Sequence, residues 1–430
     1  MSQLDIFSGI ELPSWIAIAG ILILFIYLSK RISYSIFDPW FPIVFNQILL
    51  VGLWSLLYFR RAIRPSYYYY LLAATAMFLL PFGWLRPQRF PLFTSPSERS
   101  IQYARFANLL LIMLSIYQIV FDITFIASRG IPVLYQYGSN PQIYMGGFGI
   151  VKYIHDDNRS LIPAIAVFSF FATRRKKFLL LGLFVTVYPC LLFEWGKMGL
   201  LGVLMTFWIA SMFFFGPTKF LRKVSYVAIA VSLLSIFFMF TRVAATGYGG
   251  GNTLDALQTR LIETGDSTYM YFILDGQASI PHDFTFPKYI FSNVSPYLSY
   301  VSPYFVRDAS GATDTIGHVV LTAAGLPTGA GYGPSPPFQI VGHMFWKNYG
   351  IAYGFLIGFI LYRMKSGIGS LKEEQAILFL VIYTNIPMIA GDAAVFIYYL
   401  FSYVFVLPPV VAAILINAAL PKRKIVSVAA

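Results

Sequence analysis

The sequence has 430 residues, of which 58% are hydrophobic and only 11% are charged, with a mean hydropathy of +0.68. A soluble globular domain carries about 25% charged residues, so the composition excludes that class and predicts a polytopic membrane protein. A single cysteine, Cys190, excludes an intrachain disulfide and a CxxC-type metal or redox site. Basic loops that set membrane orientation account for the net charge of +13, so we expect no nucleic-acid partner.

Eleven apolar blocks follow one another along the chain, and each can form a transmembrane helix of about 17–25 residues once its flanks are included. They lie at 14–29, 41–59, 67–84, 107–127, 161–172, 178–193, 199–215, 224–241, 341–362, 375–391 and 395–418. The predicted fold class is an all-α membrane protein with about eleven spans. We expect residues 1–241 to hold spans 1 to 8 with a loop near 128–160, residues 242–340 to form a large outer loop, and residues 341–430 to hold spans 9 to 11 and a cytoplasmic tail.

Lysine and arginine cluster on alternate connections, and the positive-inside rule assigns these connections to the cytoplasm. The clusters lie at 30–31, 86–105, 174–177, 219–223, 363–372 and 422–424. The C-terminus is then predicted inside and the N-terminus outside. The connection FRRAIRPS disagrees with this topology, because it places Arg60, Arg61 and Arg64 outside.

The large outer loop is rich in tyrosine, proline and glycine and contains apolar patches, so we expect it to be ordered against the membrane face. Its segment TLDALQTRLIETGDSTYMYFIL predicts an amphipathic helix on the outer surface. The glycine run before this segment would let the helix move as a lid, and an ordinary interfacial helix fits the same pattern.

Several cations recur at the predicted outer ends of spans, where basic residues are normally avoided. They are Arg129, Lys197, Arg242 and Arg260. The functional interpretation is a basic pocket for a diphosphate, because a guanidinium binds phosphate oxygens through two parallel hydrogen bonds. The alternative for any one of them is a basic side chain that reaches from a helix end to the membrane interface.

His343 and Lys347 open the ninth predicted span, and their spacing places them on one helical face. Ser335 as the N-cap and Pro336 in the first turn are typical of a helix start. Partial burial and the Lys347 charge disfavour a proton on the imidazole, and a neutral histidine can act as a general base. The alternative is a polar side chain satisfied by the loop packed above it.

The remaining histidines and the acidic residues give weaker signals. His318, one helical turn after Asp314, is a second candidate for chemistry, whereas His155 and His282 each neighbour aspartate and have the character of solvated loop residues. Acidic residues are nearly absent from the predicted spans, which argues against a proton-driven carrier. The chain has no DxD pair, which favours a mechanism without a metal.

Four stretches resemble the bacterial oligosaccharide repeat-unit polymerases, the Wzy-type O-antigen polymerases, which are related to the O-antigen ligases. They are DPWFPIVFNQILLVGLWSLLYF, SRGIPVLYQYG, LLFEWGKMGLLGVLMTFW and SPPFQIVGHMFWKNYGIAYGFLIGF. The last resembles a motif with a histidine or glutamate and an asparagine two residues before a glycine, here His343, Asn348 and Gly350. The likeness covers most of the chain as topology, and its motifs are degenerate.

The resemblance implies a GT-C-like fold and a glycosyltransferase that polymerises undecaprenyl-diphosphate-linked oligosaccharides at the periplasmic face of the bacterial inner membrane. Lipid-linked donor and acceptor would be its partners, with a chain-length regulator protein as a further candidate, and it would need no cofactor or metal. His343 would activate the acceptor hydroxyl, and Arg242 and Arg260 would hold the leaving diphosphate. Arg129 and Lys197 are weaker candidates for that contact. At the position of Lys197 the family often has an arginine, and a lysine lacks the fork that makes a bidentate contact.

Two other functions stay open beside the polymerase. An O-antigen ligase would transfer the glycan to lipid A core within the same fold. A transporter of lipid-linked sugars is expected to carry polar residues through the middle of the bilayer, and the predicted spans show few of them.

Overall fold

The computed structural model of the protein describes residues 11–33, 38, 40–86, 89–131, 150–192, 197–219, 226, 271–272, 284–292, 294, 319–320 and 337–419. Within these ranges the chain is helical and contains no strand. The α-helices are α1 Leu12–Ser29, α2 Phe41–Phe59, α3 Pro65–Leu79, α4 Glu98–Arg129, α5 Ile150–Thr173, α6 Lys176–Leu192, α7 Lys197–Phe215, α8 Phe286–Phe291, α9 Phe338–Trp346, α10 Ile351–Ser366, α11 Glu373–Asn385, α12 Ala393–Ser402 and α13 Leu407–Ala419. Short 3₁₀ segments follow several of them, at Leu80–Trp84, Lys347–Gly350, Gly367–Ser370, Ile386–Ala390 and Tyr403–Val406.

Among the described residues, five helical stretches are long and apolar enough to cross a membrane. They are Leu12–Ser29, Phe41–Phe59, Glu98–Arg129, Phe338–Ser370 and Ala393–Ala419. Large apolar side chains lie exposed along them, for example Ile23 and Leu24 on α1 and Ile116 and Ile123 on α4. Exposed apolar surface of this kind suits contact with lipid. The chain is therefore a multi-pass helical membrane protein by length and composition.

The described chain divides into two compact units. Unit 1 comprises residues 1–88, 229–370 and 383–400, and unit 2 comprises residues 89–228, 371–382 and 401–430. Unit 1 thus contains α1, α2, α3, α8, α9, α10 and most of α12, and unit 2 contains α4 to α7, most of α11, and α13.

A buried ion pair marks one end of unit 1, named here the Lys365 end. The Lys365 ammonium lies 3.0 Å from Oδ2 of Asp38 and also donates to the carbonyl oxygen of Ile32. The Arg31 guanidinium donates to the carbonyl oxygen of Gly83 at 2.6 Å. These contacts bring together the connection after α1, the 3₁₀ segment after α3 and the last turn of α10.

Aromatic rings enclose the same ion pair. The Lys365 ammonium lies 4.8 Å from the centroid of the Trp40 ring, and this ring stacks on Tyr383 at 5.2 Å. The Tyr383 hydroxyl donates to Oδ1 of Asp38 at 3.4 Å, and the Trp40 backbone amide donates to the same atom at 3.0 Å. Trp40 and Lys365 are both completely buried. A buried charge pair is tolerated only when such additional contacts satisfy it.

Helices α3 and α10 run side by side from the opposite end of unit 1, named here the His343 end, to the Lys365 end. Glycines at four-residue spacing line the contact on α10 and allow the two backbones to approach. A Cβ atom at Gly354 would lie 2.5 Å from the carbonyl oxygen of Ala74, and one at Gly358 would overlap the carbonyl oxygen of Phe78. The small-residue spacing therefore sets the register of α10 on α3.

Helix α4 of unit 2 begins at a well-defined cap. The Ser97 hydroxyl accepts a hydrogen bond from the Ser100 amide at 3.2 Å. A carboxylate oxygen of Glu373 accepts from the amide and the hydroxyl of Ser97, at 2.8 and 3.0 Å. The start of α4 is thus tied to the start of α11 by a charge-assisted contact.

Several predicted boundaries agree with the structure and others do not. Helix α2 spans the predicted block 41–59. Helix α5, in contrast, begins at Ile150, within the segment predicted as a loop near 128–160. The block 341–362 is not one continuous helix: α9 ends at Trp346, and Lys347 has a φ of +50°. The predicted span 224–241 lies outside the described residues apart from Tyr226.

Candidate functional site

His343 lies in helix α9, one turn before the helix ends. Helix α9 begins at Phe338 after an extended N-cap at Pro337, rather than after the predicted N-cap at Ser335. The carbonyl oxygen of His343 accepts the backbone N–H of Lys347, where the chain leaves the helix. The histidine is 5% exposed, so its imidazole is held inside the protein.

Four aromatic rings surround the imidazole of His343, and we name them the aromatic cage: Tyr67, Tyr70, Tyr271 and Phe272. Their ring centroids lie 5.5, 4.8, 5.7 and 5.2 Å from that of His343. All four approach at steep interplanar angles, between 67° and 88°, which is a favoured geometry for aromatic pairs. The cage joins the start of α3 to a short helical piece from the large loop.

The Tyr271 hydroxyl lies 3.0 Å from Nδ1 of His343. This contact couples the hydroxyl to the tautomer of the ring, because one ring nitrogen of a neutral histidine donates and the other accepts. When Nδ1–H donates to the Tyr271 oxygen, Nε2 is the acceptor, as a general base requires. The chemistry that the ring can perform thus depends on Tyr271.

A second set of hydrogen bonds fixes α9 beneath the cage. The side-chain amide of Gln339 donates to Oε1 of Gln47 at 2.6 Å and to the hydroxyl of Thr75 at 2.9 Å. The Tyr70 hydroxyl donates to the carbonyl oxygen of Gln339 at 3.0 Å. Because Gln339 is fully buried, these bonds hold α9 against α2 and α3 and so position His343.

The other predicted site residues are distributed as follows. Lys347 and Asn348 lie exposed in the 3₁₀ segment that follows α9, and Lys347 interacts electrostatically with His343. In unit 2, Arg129 is the exposed last residue of α4, and Lys197 is the first residue of α7. Arg242, Arg260 and His318 lie outside the described residues.

Sequence reasoning missed the residues that form the cage. One signal was present: the run Tyr67–Tyr70 opens α3 with four consecutive tyrosines. Tyr67 and Tyr70 are three positions apart and therefore share a helical face. This face contacts His343. Tyr271 and Phe272 are distant in sequence, and no local pattern associates them with the histidine.

Unit 2 contains a buried polar network between α4, α5 and α6. Asp122 accepts from the Gln118 amide at 3.2 Å, lies 3.3 Å from Nε2 of His155, and accepts from the Tyr188 hydroxyl. The Asn158 amide donates to the Gln118 carbonyl oxygen at 3.0 Å. The prediction of a solvated His155 is thereby wrong, because His155 is buried. Asp122 is an acidic residue within the predicted span 107–127.

The reason for the error at His155 is tertiary pairing. The sequence YIHDDNRS is polar enough to be typical of a loop, but in the structure it forms the first half of α5. Asp157 accepts from the Ser402 hydroxyl at 2.8 Å, and His155 pairs with Asp122. Buried polar groups persist where such partners satisfy them, and these partners lie far away in sequence.

Asp392 occupies the turn before α12 and caps that helix. Its Oδ1 accepts from the amide of Ala394 and from the Tyr289 hydroxyl, each at 3.0 Å. The Ala393 amide donates in turn to the Tyr289 oxygen at 3.1 Å. Burial raises the pKa of Asp392, and the hydrogen bonds from Tyr289 and the helix start oppose that shift.

Comparison with known proteins returned no matching family, no matching curated protein and no matching solved structure. Among the described residues, no group of three or more His, Cys, Asp or Glu side chains is placed to hold a metal ion.

Proposed function

We propose that the chain is a glycosyltransferase that polymerises undecaprenyl-diphosphate-linked oligosaccharide repeat units, with a GT-C-like fold of about eleven spans. The observation that carries the proposal is the buried His343, held by Tyr271 within an aromatic cage at the start of an apolar helical stretch. The cage joins a transmembrane unit to residues of the large loop, where a lipid-linked sugar would meet water. Its location would be the bacterial inner membrane, with the His343 end at the periplasmic face.

The proposed reaction needs one base and one site for negative charge. The acceptor hydroxyl oxygen attacks the anomeric carbon of the donor, and its proton passes to Nε2 of His343. The bond between the anomeric carbon and the diphosphate oxygen breaks, and undecaprenyl diphosphate leaves with the electron pair. The configuration at the anomeric carbon inverts. No metal takes part in this scheme.

Stabilisation of the leaving diphosphate is assigned to cations. Arg242 and Arg260 are proposed for this contact, with Arg129 and Lys197 as weaker candidates. Positioned arginines lower the barrier because the charge develops in a medium of low dielectric constant. Lys347 and Asn348, in the turn after His343, are proposed to orient the acceptor, and His318 is a further candidate base.

The experiment is an assay of the purified protein in detergent with a lipid-linked repeat unit. The proposal predicts a ladder of products that differ by one repeat unit. If no ladder forms with a folded protein and an intact substrate, the polymerase proposal is wrong. The identity of the product distinguishes the polymerase from the ligase, because a ligase would give a single transfer onto lipid A core.

One observation supports a second candidate, a transporter of lipid-linked sugars. The network of Asp122, His155 and Gln118 places ionisable groups inside apolar helices, and such groups often belong to substrate or proton pathways. This function needs two compartments. Product formation in detergent micelles would therefore reject it, whereas proton-dependent movement of a lipid-linked sugar across a vesicle membrane would support it.

A further inference from the structure

A second group of aromatic rings lies in unit 1 and begins three positions after His343. Trp346, the last residue of α9, lies 4.7 Å from Phe286 of α8 and 5.2 Å from Tyr353 of α10, measured between ring centroids. The rings of Phe286 and Tyr353 are 5.9 Å apart, so each of the three contacts the other two. We name these three rings the Trp346 cluster. Trp346 is 38% exposed, so part of its surface is open to a ligand.

The carboxylate of Asp392 lies beside the Trp346 cluster, and only one of its oxygens is engaged. Oδ1 accepts hydrogen bonds from the Tyr289 hydroxyl and from two amides at the start of α12, at 3.0 to 3.4 Å. Oδ2 makes no hydrogen bond with any described residue. Tyr289 connects the carboxylate to the cluster, because its ring lies 5.9 Å from that of Phe286. Oδ2 is therefore an acceptor that remains available near the aromatic rings.

The hydroxyl of Tyr353 is an available donor at the same place. Tyr353 is only 7% exposed, and its hydroxyl makes no hydrogen bond with the described residues. It interacts electrostatically with the carboxylate of Asp392 and with the hydroxyl of Tyr289, so it lies near both groups and is bonded to neither. A buried hydroxyl without a partner is unfavourable. A ligand that accepts a hydrogen bond from Tyr353 would relieve this unfavourable state.

An open aromatic face, a hydroxyl donor and a carboxylate acceptor together define the ligand class. A sugar ring matches all three, because its C–H groups pack on aromatic faces and each of its hydroxyls both donates and accepts. An anionic ligand is disfavoured by the negative charge of Asp392. A cationic ligand is not required, because hydrogen bonds from Tyr289 and from the start of α12 already stabilise that charge. A neutral ligand with several hydroxyls therefore fits best.

We infer that Trp346, Tyr353 and Asp392 form a binding site for one sugar ring of the acceptor oligosaccharide. The sugar ring stacks on Trp346, one of its hydroxyls accepts from Tyr353, and another donates to Oδ2 of Asp392. Assignment of the sugar to the acceptor rests on the proposed function. Trp346 follows His343 by three positions, and residues at that spacing are neighbours on a helix. The site therefore holds the acceptor sugar next to the proposed base.

The test compares two variants at the site with two matched controls, all in the full chain. Trp346→Ala removes the stacking face, and Tyr353→Phe removes only the donor oxygen. The controls are Tyr349→Ala, at an exposed ring in the 3₁₀ segment after α9, and Tyr362→Phe, near the end of α10. Binding of the repeat-unit oligosaccharide, released from its lipid diphosphate, is titrated by saturation-transfer NMR in detergent. Undecaprenyl diphosphate without sugar is the second probe, and melting temperature shows that each variant is folded.

We expect Trp346→Ala to bind the oligosaccharide about tenfold more weakly than the wild type, as loss of an aromatic anchor does at other binding sites. Tyr353→Phe should bind it about fivefold more weakly, the effect of one lost neutral hydrogen bond. Both controls should bind it normally, and every variant should bind undecaprenyl diphosphate normally. Loss of lipid binding with intact sugar binding would make Trp346 a membrane anchor and overturn the inference. Equal losses in the controls, or no oligosaccharide binding by the wild type, would also overturn it.

Oligosaccharide binding is measured independently of glycosyl transfer. A chain that binds the sugar through Trp346 and Tyr353 but forms no product ladder would refute the proposed function and leave the sugar site standing. A chain that forms the ladder while both site variants bind the sugar normally would refute the site alone. If Trp346→Ala does not fold, Tyr353→Phe is measured against Tyr362→Phe by the same criteria.

Discussion

The hydroxyl of Tyr271 lies 3.0 Å from Nδ1 of His343, and this hydrogen bond joins residues 72 positions apart in the chain. It connects a described piece of the large loop to the helix that carries the histidine. The hydrogen-bonding role of the hydroxyl fixes which nitrogen of the imidazole can accept a proton. The relationship therefore links the position of the loop to the chemistry available at His343.

Under the proposed function, removal of that hydroxyl is expected to slow glycosyl transfer without unfolding the protein. Tyr271→Phe keeps the ring contact with His343 but removes the bond to Nδ1, and a hydrogen bond of this kind contributes about 1 kcal/mol, or roughly five- to tenfold in rate. The polymerisation rate, measured at saturating lipid-linked substrate, should fall by that factor. Tyr69→Phe is the control, because Tyr69 is exposed and its described ring contacts are with Tyr58 and Tyr68. Equal rates in both variants would remove Tyr271 from the mechanism.

Gly354 is expected to be intolerant of any side chain. A Cβ atom there would lie 2.5 Å from the carbonyl oxygen of Ala74, so Gly354→Ala should separate α10 from α3 and cost about 1–3 kcal/mol of unfolding free energy. The measurement is reversible denaturation in detergent. Gly20→Ala is the control, because a Cβ at Gly20 in α1 meets no atom within 4 Å. Equal stability of the two variants would contradict the close packing of α3 and α10.

The ion pair between Lys365 and Asp38 should be costly to break from one side. Lys365→Met leaves the Asp38 carboxylate buried without its cation, which is expected to destabilise unit 1 by about 3–5 kcal/mol. Adding Asp38→Asn to that variant removes the buried charge and should restore part of the loss. Melting temperatures of the single and double variants measure the coupling. A double variant that is less stable than Lys365→Met would argue against a buried charge as the cause.

Asp392 should make stability depend on pH. Burial raises the pKa of its carboxyl in the folded protein above the value of about 3.9 in an unfolded chain, so the folded state holds the proton more tightly. The contribution of Asp392 to the free energy of unfolding is fully present below about pH 3.9. It is lost as the pH rises through the raised pKa of the folded protein. Asp392→Asn keeps a helix-capping side chain and should flatten this part of the stability curve. An unchanged slope in Asp392→Asn would show that another group titrates.

Local patterns were sufficient for the helices with one clear apolar block. The predicted block 41–59 coincides with α2 because its flanks, at Trp40 and Arg60, are polar or aromatic boundaries. The break at Lys347 was not predictable from periodicity, since the apolar pattern continues on both sides of it. The helix ends there because Lys347 has a positive φ of 50°. A hydropathy pattern carries no information about backbone angles.

The candidate site was predictable only in part. His343 was singled out from its spacing and from the family resemblance. Its burial agrees with the expected partial desolvation, and its role in catalysis stays a prediction. The aromatic cage was not predictable from the sequence, because Tyr271 contacts His343 only in the folded chain. The same limitation explains the error at His155, whose partner Asp122 lies on another helix. Pairs of this kind are invisible to a reading of neighbouring residues.

The most direct test of the central claim is the product ladder made by His343→Gln. The purified variant and the wild-type protein receive the same lipid-linked repeat unit in detergent, with His282→Gln as the control histidine. We predict that the wild type and the control form a ladder and that His343→Gln is slower by about a hundredfold or more while its melting temperature is retained. A ladder from His343→Gln at the wild-type rate would contradict the role of His343 as the base.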